Sequence, residues 1–239
     1  VSDSTTVKVR VSNEAKYTGY IEVEEKLTIT RRPVTVTAKS YQKTYNTADP
    51  TFEADVAGTL NGAKVAYDIS RKAGEDVGEY PITATGETVQ DNYTVTYEPG
   101  TLTITAGSRP ADRQLSVTSY NGEYDANEHT ITVNNVLDGD VVEYSYDNGA
   151  TWKTDLTQYT DVTNTTIKVR VTNANYNPNP VELEGTVTIT PKPVTVTARS
   201  YSKTFGAADP TFEADTAGTL NGDKITYDIS REAGENVGN

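Results

Sequence analysis

Pro33-Val-Thr-Val-Thr-Ala-Lys-Ser-Tyr41 returns 160 residues later as Pro193-Val-Thr-Val-Thr-Ala-Arg-Ser-Tyr201. Within it Val34 and Val36 alternate with Thr35 and Thr37. That is the period-2 pattern of a half-buried strand, because successive side chains on a strand point to opposite faces. β-Branched Val suits the pleated inner surface and Thr tolerates water. The likeness continues without a gap through Ala48-Asp-Pro-Thr-Phe-Glu-Ala-Asp55 and Ala208-Asp-Pro-Thr-Phe-Glu-Ala-Asp215, then Tyr67-Asp-Ile-Ser-Arg71 and Tyr227-Asp-Ile-Ser-Arg231. About three quarters of the positions paired between 33–79 and 193–239 are identical, so the chain is a repeat protein.

The same shift maps Lys8-Val-Arg-Val11 onto Lys168-Val-Arg-Val171, and Leu27-Thr-Ile-Thr30 onto Val187-Thr-Ile-Thr190. One period therefore holds two module types. The first type spans 33–105 and the second 113–190, with a polar linker at 106–112. Residues 1–32 match the closing half of the second type, and 193–239 the opening half of the first. Both types open on an alternating strand and close on Thr-Ile-Thr, as diverged copies of one fold would. Turn signals at Asn61-Gly62, Pro99-Gly100, Asp138-Gly139 and Asn148-Gly149 separate the runs, and no stretch carries a helical apolar stripe. The expected fold class is all-β: tandem small β-sandwiches, Ig-like, set in an extended rod by short Pro-bearing links such as Thr30-Arg-Arg-Pro33. In such a sandwich Tyr80, in Val77-Gly-Glu-Tyr80, is the candidate structural corner. β-Grasp-like modules are the alternative, and they require a helix.

Composition narrows the function. The chain has 239 residues and a formal charge of -13, with 35% hydrophobic residues. Phosphate binding needs a basic stripe, so a nucleic-acid partner is not expected. No apolar run approaches the roughly 18 residues of a membrane span, so no membrane insertion is expected either. With no Cys, disulfides and thiolate chemistry are excluded. The chain also lacks Met, even at residue 1, which fits a fragment whose targeting signals lie elsewhere.

The landmarks Tyr41-Gln-Lys-Thr-Tyr45, Ala48-Asp-Pro50, Val77-Gly-Glu-Tyr80, Asn92-Tyr-Thr94 and Gly100-Thr-Leu-Thr-Ile-Thr105 resemble the MBG family, domains of large repetitive surface proteins and adhesins, mainly of Gram-positive bacteria. The second type, with Tyr120-Asn-Gly-Glu-Tyr124 and Ala174-Asn-Tyr-Asn177, looks like the companion repeats found beside them. The resemblance implies a secreted protein at the cell surface or in the cell wall. It also implies a possible glycan or mucin ligand.

Candidate chemistry is sparse. Ser145-Tyr-Asp147-Asn-Gly149-Ala-Thr151-Trp152 matches the Asp-box pattern S-x-D-x-G-x-T-W. Its local physics is that of a structural hairpin: Asp147 accepts backbone N–H groups, Gly149 takes an unusual dihedral, and Trp152 packs beneath. The arginine cluster of sialidases is missing. His129 is the sole histidine and no nucleophile motif accompanies it, so it reads as a surface residue rather than a catalytic base. Asp138, Asp140 and the run Glu22–Glu25 lack the ligand density of a Ca²⁺ loop. Lys8 and Lys168 face outward by the alternation, which disfavours isopeptide crosslinks. The expectation is no catalytic, cofactor-binding or metal site.

These readings converge on a non-enzymatic stalk or fibre, with an adhesive, glycan-binding module as the alternative. The half-modules 1–32 and 193–239 have too few strands to bury a core alone. Their missing strands are expected from neighbouring repeats of a longer chain or from identical copies in a filament.

Overall fold

The computed structural model describes residues 3–11, 15–16 and 21–238. Among them the chain is strand and turn, with a short 3₁₀ turn at Ala111–Arg113 and no α-helix. It forms two compact units, Val1–Ser108 with Ala174–Asn177, and Arg109–Asn173 with Pro178–Asn239.

The first unit opens with an antiparallel hairpin, β1 (Asp3–Val11) and β2 (Ile21–Ile29). Eight strands follow: β3 (Arg32–Ala38), β4 (Tyr41–Thr44), β5 (Ala54–Ala57), β6 (Asp68–Arg71), β7 (Gly78–Thr85), β8 (Val89–Gln90), β9 (Tyr93–Glu98) and β10 (Gly100–Thr105). They build a sandwich of two sheets, ordered β5-β3-β9-β8 and β4-β10-β7-β6. The place a β-grasp helix would take against the first sheet is filled by the second. β11 (Gly107–Ser108) ends this run.

Two of the chain's passages from one sheet to the other are made almost without a loop, between β3 and β4 and between β9 and β10. The two changes are neighbours, because β3 runs parallel to β9 (Arg32↔Tyr93 through Thr37↔Glu98) and β4 parallel to β10 (Tyr41↔Leu102 through Thr44↔Thr105). Pro99-Gly100, read as a turn from sequence, is this second sheet change rather than a chain reversal. The crossing divides the apolar interior. Val34, Val36, Val65, Ala84 and Val95 form one cluster, and Ala38, Ile82, Leu102 and Ile104 the other. The burial of β3 follows its alternation, with Val34, Val36 and Ala38 buried and Pro33 and Thr37 exposed.

The second unit repeats the larger part of the plan, with longer closing strands and a smaller, two-stranded second sheet of β12 and β14: β12 (Ser116–Thr118), β13 (Tyr120–Glu123), β14 (Thr132–Asn134), β15 (Val141–Ser145), β16 (Thr163–Thr172) and, after β17 (Tyr176–Asn177), β18 (Val181–Thr190). β17 itself belongs to the first unit, where it pairs in parallel with β11. The main sheet is ordered β13-β18-β16-β15, which matches β4-β10-β7-β6 strand for strand, including the parallel pair of opening and closing strands. Ile131, Ile167, Val169, Val171, Val187 and Ile189 make its core. The last strands, β19 (Thr195–Ala198) and β20 (Ala214–Ala217), pair in the register of β3 and β5 shifted by the repeat.

The two half-modules keep their local structure but not their burial. Alternation predicts Val7 and Val9 inward, yet they are 44% and 53% exposed, whereas Ile167 and Val169 at the same repeat positions are at 0%. Val196 is likewise 41% exposed and its counterpart Val36 is at 0%. The strand pattern is intact, and what differs is the presence of a facing sheet. The side chain of Val11 lies outside the described residues.

Candidate functional site

The Asp-box hairpin leaves β15 at Ser145 and returns at Lys153, whose N–H and C=O both pair with Tyr144. Three hydrogen bonds converge on the Asp147 carboxylate: the Ser145 hydroxyl donates at 2.7 Å, the Thr151 N–H at 2.8 Å and the Thr151 hydroxyl at 2.6 Å. Led by the Thr151 hydroxyl and N–H, these hold the carboxyl well below the usual carboxylate range. The Gly149 N–H donates to Ser145 Oγ at 2.8 Å, and Gly149 sits at φ +93°, where a β-carbon would be strained. The Arg170 guanidinium lies 4.4 Å from the Trp152 ring centroid and is held by Glu143. The hydrogen bonds of Ser145, Asp147, Gly149 and Thr151 all close on the turn itself, as a structural hairpin requires. Ser145 is buried, and Ser145→Ala removes the acceptor of the Gly149 N–H. The variant is expected to lose about 1–3 kcal/mol, read from the denaturation midpoint of the single Trp152 fluorescence.

The other singled-out residues are also engaged. The Tyr80 hydroxyl donates to the Asp76 carbonyl at 2.8 Å, tying the entry of β7 to the preceding loop. His129 stacks on Tyr120 with centroids 3.8 Å apart, and its Nε2 lies 2.8 Å from Asp125 Oδ1. That contact, more than the neighbouring Asn127 groups, pulls Asp125 down to about 2. Asp140 is closed off by Arg109, the Leu137 N–H and Asn173. Burial pushes its carboxyl up, but those partners together hold it below the ordinary value. Its oxygens therefore serve the protein rather than a cation. The side chains of Glu22 to Glu24 lie outside the described residues. No cluster of three or more His, Asp or Glu placed to hold a metal occurs among the described residues.

Sequence reading missed the most developed polar cluster. Lys43 is buried on β4, and its Nζ lies 2.8 Å from Asp49 Oδ1 and also meets Glu75. Arg71 grips Asp49 through Nε and Nη2 and reaches Glu75 and the Gly74 carbonyl. The guanidinium first and the ammonium second hold Asp49 low; Glu75 is held low by Lys43 first. An amide between Lys43 and Asp49 would need a neutral amine and a carboxylic acid, and these shifts favour the ion pair. The cluster recurs one period later as Lys203, Asp209, Arg231 and Glu235. Retention of all four residue types in both copies was the available signal.

There Asp209 is brought down to about 2 from 3.8, by Arg231 before Lys203. A lowered carboxyl stabilises the folded segment above its unfolded value and loses that contribution as it protonates. The local fold of 193–239 is therefore expected to weaken between about pH 4 and pH 2, followed by the NMR shift of the Asp209 carboxyl.

The tyrosines act as staples. The Tyr41 hydroxyl accepts the Glu53 N–H, Tyr93 the Leu60 N–H and Tyr146 the Thr157 N–H, while Tyr97 donates to the Glu87 carbonyl. Tyr41 and Phe52 meet edge to face, as do Tyr201 and Phe212 one repeat on. An open groove of about 490 Å³ runs past Tyr67, Thr85 and Gln90, but the Tyr67 ring packs on the core. No helix among the described residues is long and apolar enough to cross a membrane.

Comparison with known proteins finds a family match over part of the chain. Residues 34–103 and 194–239 match the MBG domain (YGX type). No curated protein matches the chain. Similar solved structures include mouse clustered PcdhgC3 EC1-3, at 9% identity over 79% of this chain and 77% of that one, with a TM-score of 0.27. Another is the tandem Ig repeats of Dlar, at 12% identity over 68% of this chain and 99% of that one, with a TM-score of 0.23.

Proposed function

We propose that this chain, with MBG domains of the YGX type over residues 34–103 and 194–239, is a non-enzymatic structural stalk that carries tension in a secreted bacterial surface protein. One observation carries this reading: the parallel pairing of opening and closing strands in both module types. In residues 33–105 the chain enters at the start of β3 and leaves at the end of β10. Pulling on those ends moves β3–β4 and β9–β10 past one another along their length. All the hydrogen bonds between them then resist together, in shear, instead of opening one at a time. The repeated Lys–Asp–Arg–Glu clusters and tyrosine staples support the same reading, because they secure loops rather than present a binding face.

Single-molecule pulling tests it. The native chain lacks cysteine, so handles can be placed at will. Arg32 and Asn92 flank the same end of the β3–β9 pair, and handles at Arg32→Cys and Asn92→Cys would unzip it. Unfolding of 33–105 through the chain termini is expected to need several-fold more force than through that pair. Equal forces in both geometries would reject the tension reading. Micromolar retention on a glycan array, abolished by a Tyr→Ala change, would instead support the adhesive alternative.

A further inference from the structure

The chain holds four Asn-Gly pairs, at 61–62, 121–122, 148–149 and 221–222. In such a pair the glycine nitrogen can attack the asparagine side-chain carbonyl carbon, because no β-carbon on the second residue stands in the way. Two things decide the rate in a folded chain: whether that nitrogen is free, and whether the backbone has room to turn. The structure divides the four pairs on both counts.

Asn61 and Gly62 are the central residues of a type I′ turn, at φ +51° and +72°, closed by the Ala63 N–H on the Leu60 carbonyl at 2.9 Å. Asn221 and Gly222 repeat it one period later at +48° and +79°, with the Asp223 N–H on the Leu220 carbonyl at 2.9 Å. All four residues are exposed. Among the described residues, neither glycine N–H and neither asparagine side chain has a hydrogen-bond partner. A β-carbon on Gly62 or Gly222 would meet nothing within 4 Å, so nothing opposes rotation of the peptide. The first of these turns joins β5 to β6 inside the complete module 33–105, so its exposure does not depend on a missing strand.

The other two pairs are held. The Gly149 N–H donates to Ser145 Oγ at 2.8 Å, within the hairpin that Asp147 closes. Gly122 lies in β13 opposite Ile189 of β18, and a β-carbon there would fall 2.5 Å from the Tyr120 hydroxyl oxygen. Rotating the Asn121–Gly122 peptide toward the Asn121 side chain would break that parallel ladder.

We propose that Asn61 and Asn221 are sites of spontaneous deamidation in the folded protein, and that Asn121 and Asn148 are protected by their hydrogen-bonded surroundings. Water is the one co-reactant. The Gly62 nitrogen gives up its proton and bonds to Asn61 Cγ. The Cγ–Nδ2 bond breaks and ammonia departs with the proton, leaving a five-membered succinimide. Water then opens the ring at either carbonyl, with no change of oxidation state. Cleavage at Cγ gives aspartate; cleavage at the backbone carbonyl gives isoaspartate, linked to Gly62 through Cγ. Each conversion adds one negative charge to a chain already at -13, at the same place in each repeat. Isoaspartate also lengthens the turn by a methylene, next to the Leu60 N–H that the Tyr93 hydroxyl accepts.

Timed incubation of the full chain in mildly alkaline buffer tests this, read by peptide mapping with fragmentation that separates aspartate from isoaspartate. In guanidinium chloride all four pairs share one local chemistry and should convert at similar rates. In the folded chain Asn61 and Asn221 should stay close to that rate. Asn121 and Asn148 should fall about tenfold or more below it, because native hydrogen bonds must break before attack. Ser145→Ala removes the acceptor of the Gly149 N–H and should raise the Asn148 rate toward that of Asn61, measured where Trp152 fluorescence shows the variant still folded. Equal rates at all four sites of the folded chain overturn the proposal. So does an Asn61 or Asn221 that stays intact while the unfolded chain converts. An Asn148 rate that Ser145→Ala leaves unmoved overturns the protection assigned to that hydrogen bond.

Discussion

Val36→Asp unfolds residues 33–105, while Val196→Asp, the same residue one repeat later, leaves stability within about 0.5 kcal/mol of the unaltered chain. At position 36 the side chain points from the middle of β3 into the cluster of Val34, Val65, Ala84 and Val95. A carboxylate there has no charged partner in the cluster. It must either lose its hydration or take up a proton, and the cost is several kcal/mol, on the order of 4 or more. A small domain is stabilised by only about 5–15 kcal/mol, so most of the margin disappears. At position 196 the same carboxylate stays in water. Hydrogen exchange reads the difference directly, since protection across β3, β7 and β9 should vanish in the first variant and persist in the second. Equal effects would mean that the face of residues 193–239 carrying Val196 is covered in solution.

That contrast also marks what could be read from the sequence. Alternation of Val and Thr named β3 and its inner face correctly, because a strand's two faces are a local property of the backbone. The same logic turned Val7 and Val9 inward and was right about the face but not about burial. Whether a face is covered depends on strands far away in the chain, and the repeat register, not the alternation, carried that information. Lys43 shows a second limit. A lysine in an alternating strand reads as solvated, and its burial under Asp49 and Glu75 follows from pairing β4 with β10 across about sixty residues. The Asp-box hairpin was legible because its hydrogen bonds span only four residues, from Ser145 and Asp147 to Gly149 and Thr151. Pro99-Gly100 was half legible: the break was visible, but a change of sheet and a reversal of direction share the same residues. Only the parallel partners of β9 and β10 distinguish them.

Gly100→Ala should destabilise residues 33–105 by about 3 kcal/mol, at the upper end of the range for overpacking a closed site. Gly100 is buried where β9 hands over to β10, directly against the point where β3 hands over to β4. A β-carbon there would lie 2.5 Å from the Lys39 carbonyl oxygen, 2.6 Å from that of Ala38 and 2.8 Å from the Lys39 carbonyl carbon. All three are backbone atoms, so no rotamer can relieve the clash. Separation of the two crossing strand pairs is the available relief, and it breaks the parallel ladder from Tyr41↔Leu102 onward. Gly234→Ala is the control, since a β-carbon there meets nothing within 4 Å, and it should leave thermal unfolding unchanged. If Gly100 is the hinge pin of the clamp, the alanine variant must also lose force resistance in proportion to its lost stability, because both draw on the same hydrogen bonds. A variant that unfolds at the same temperature as the unaltered chain would show that the two sheet changes do not need to touch.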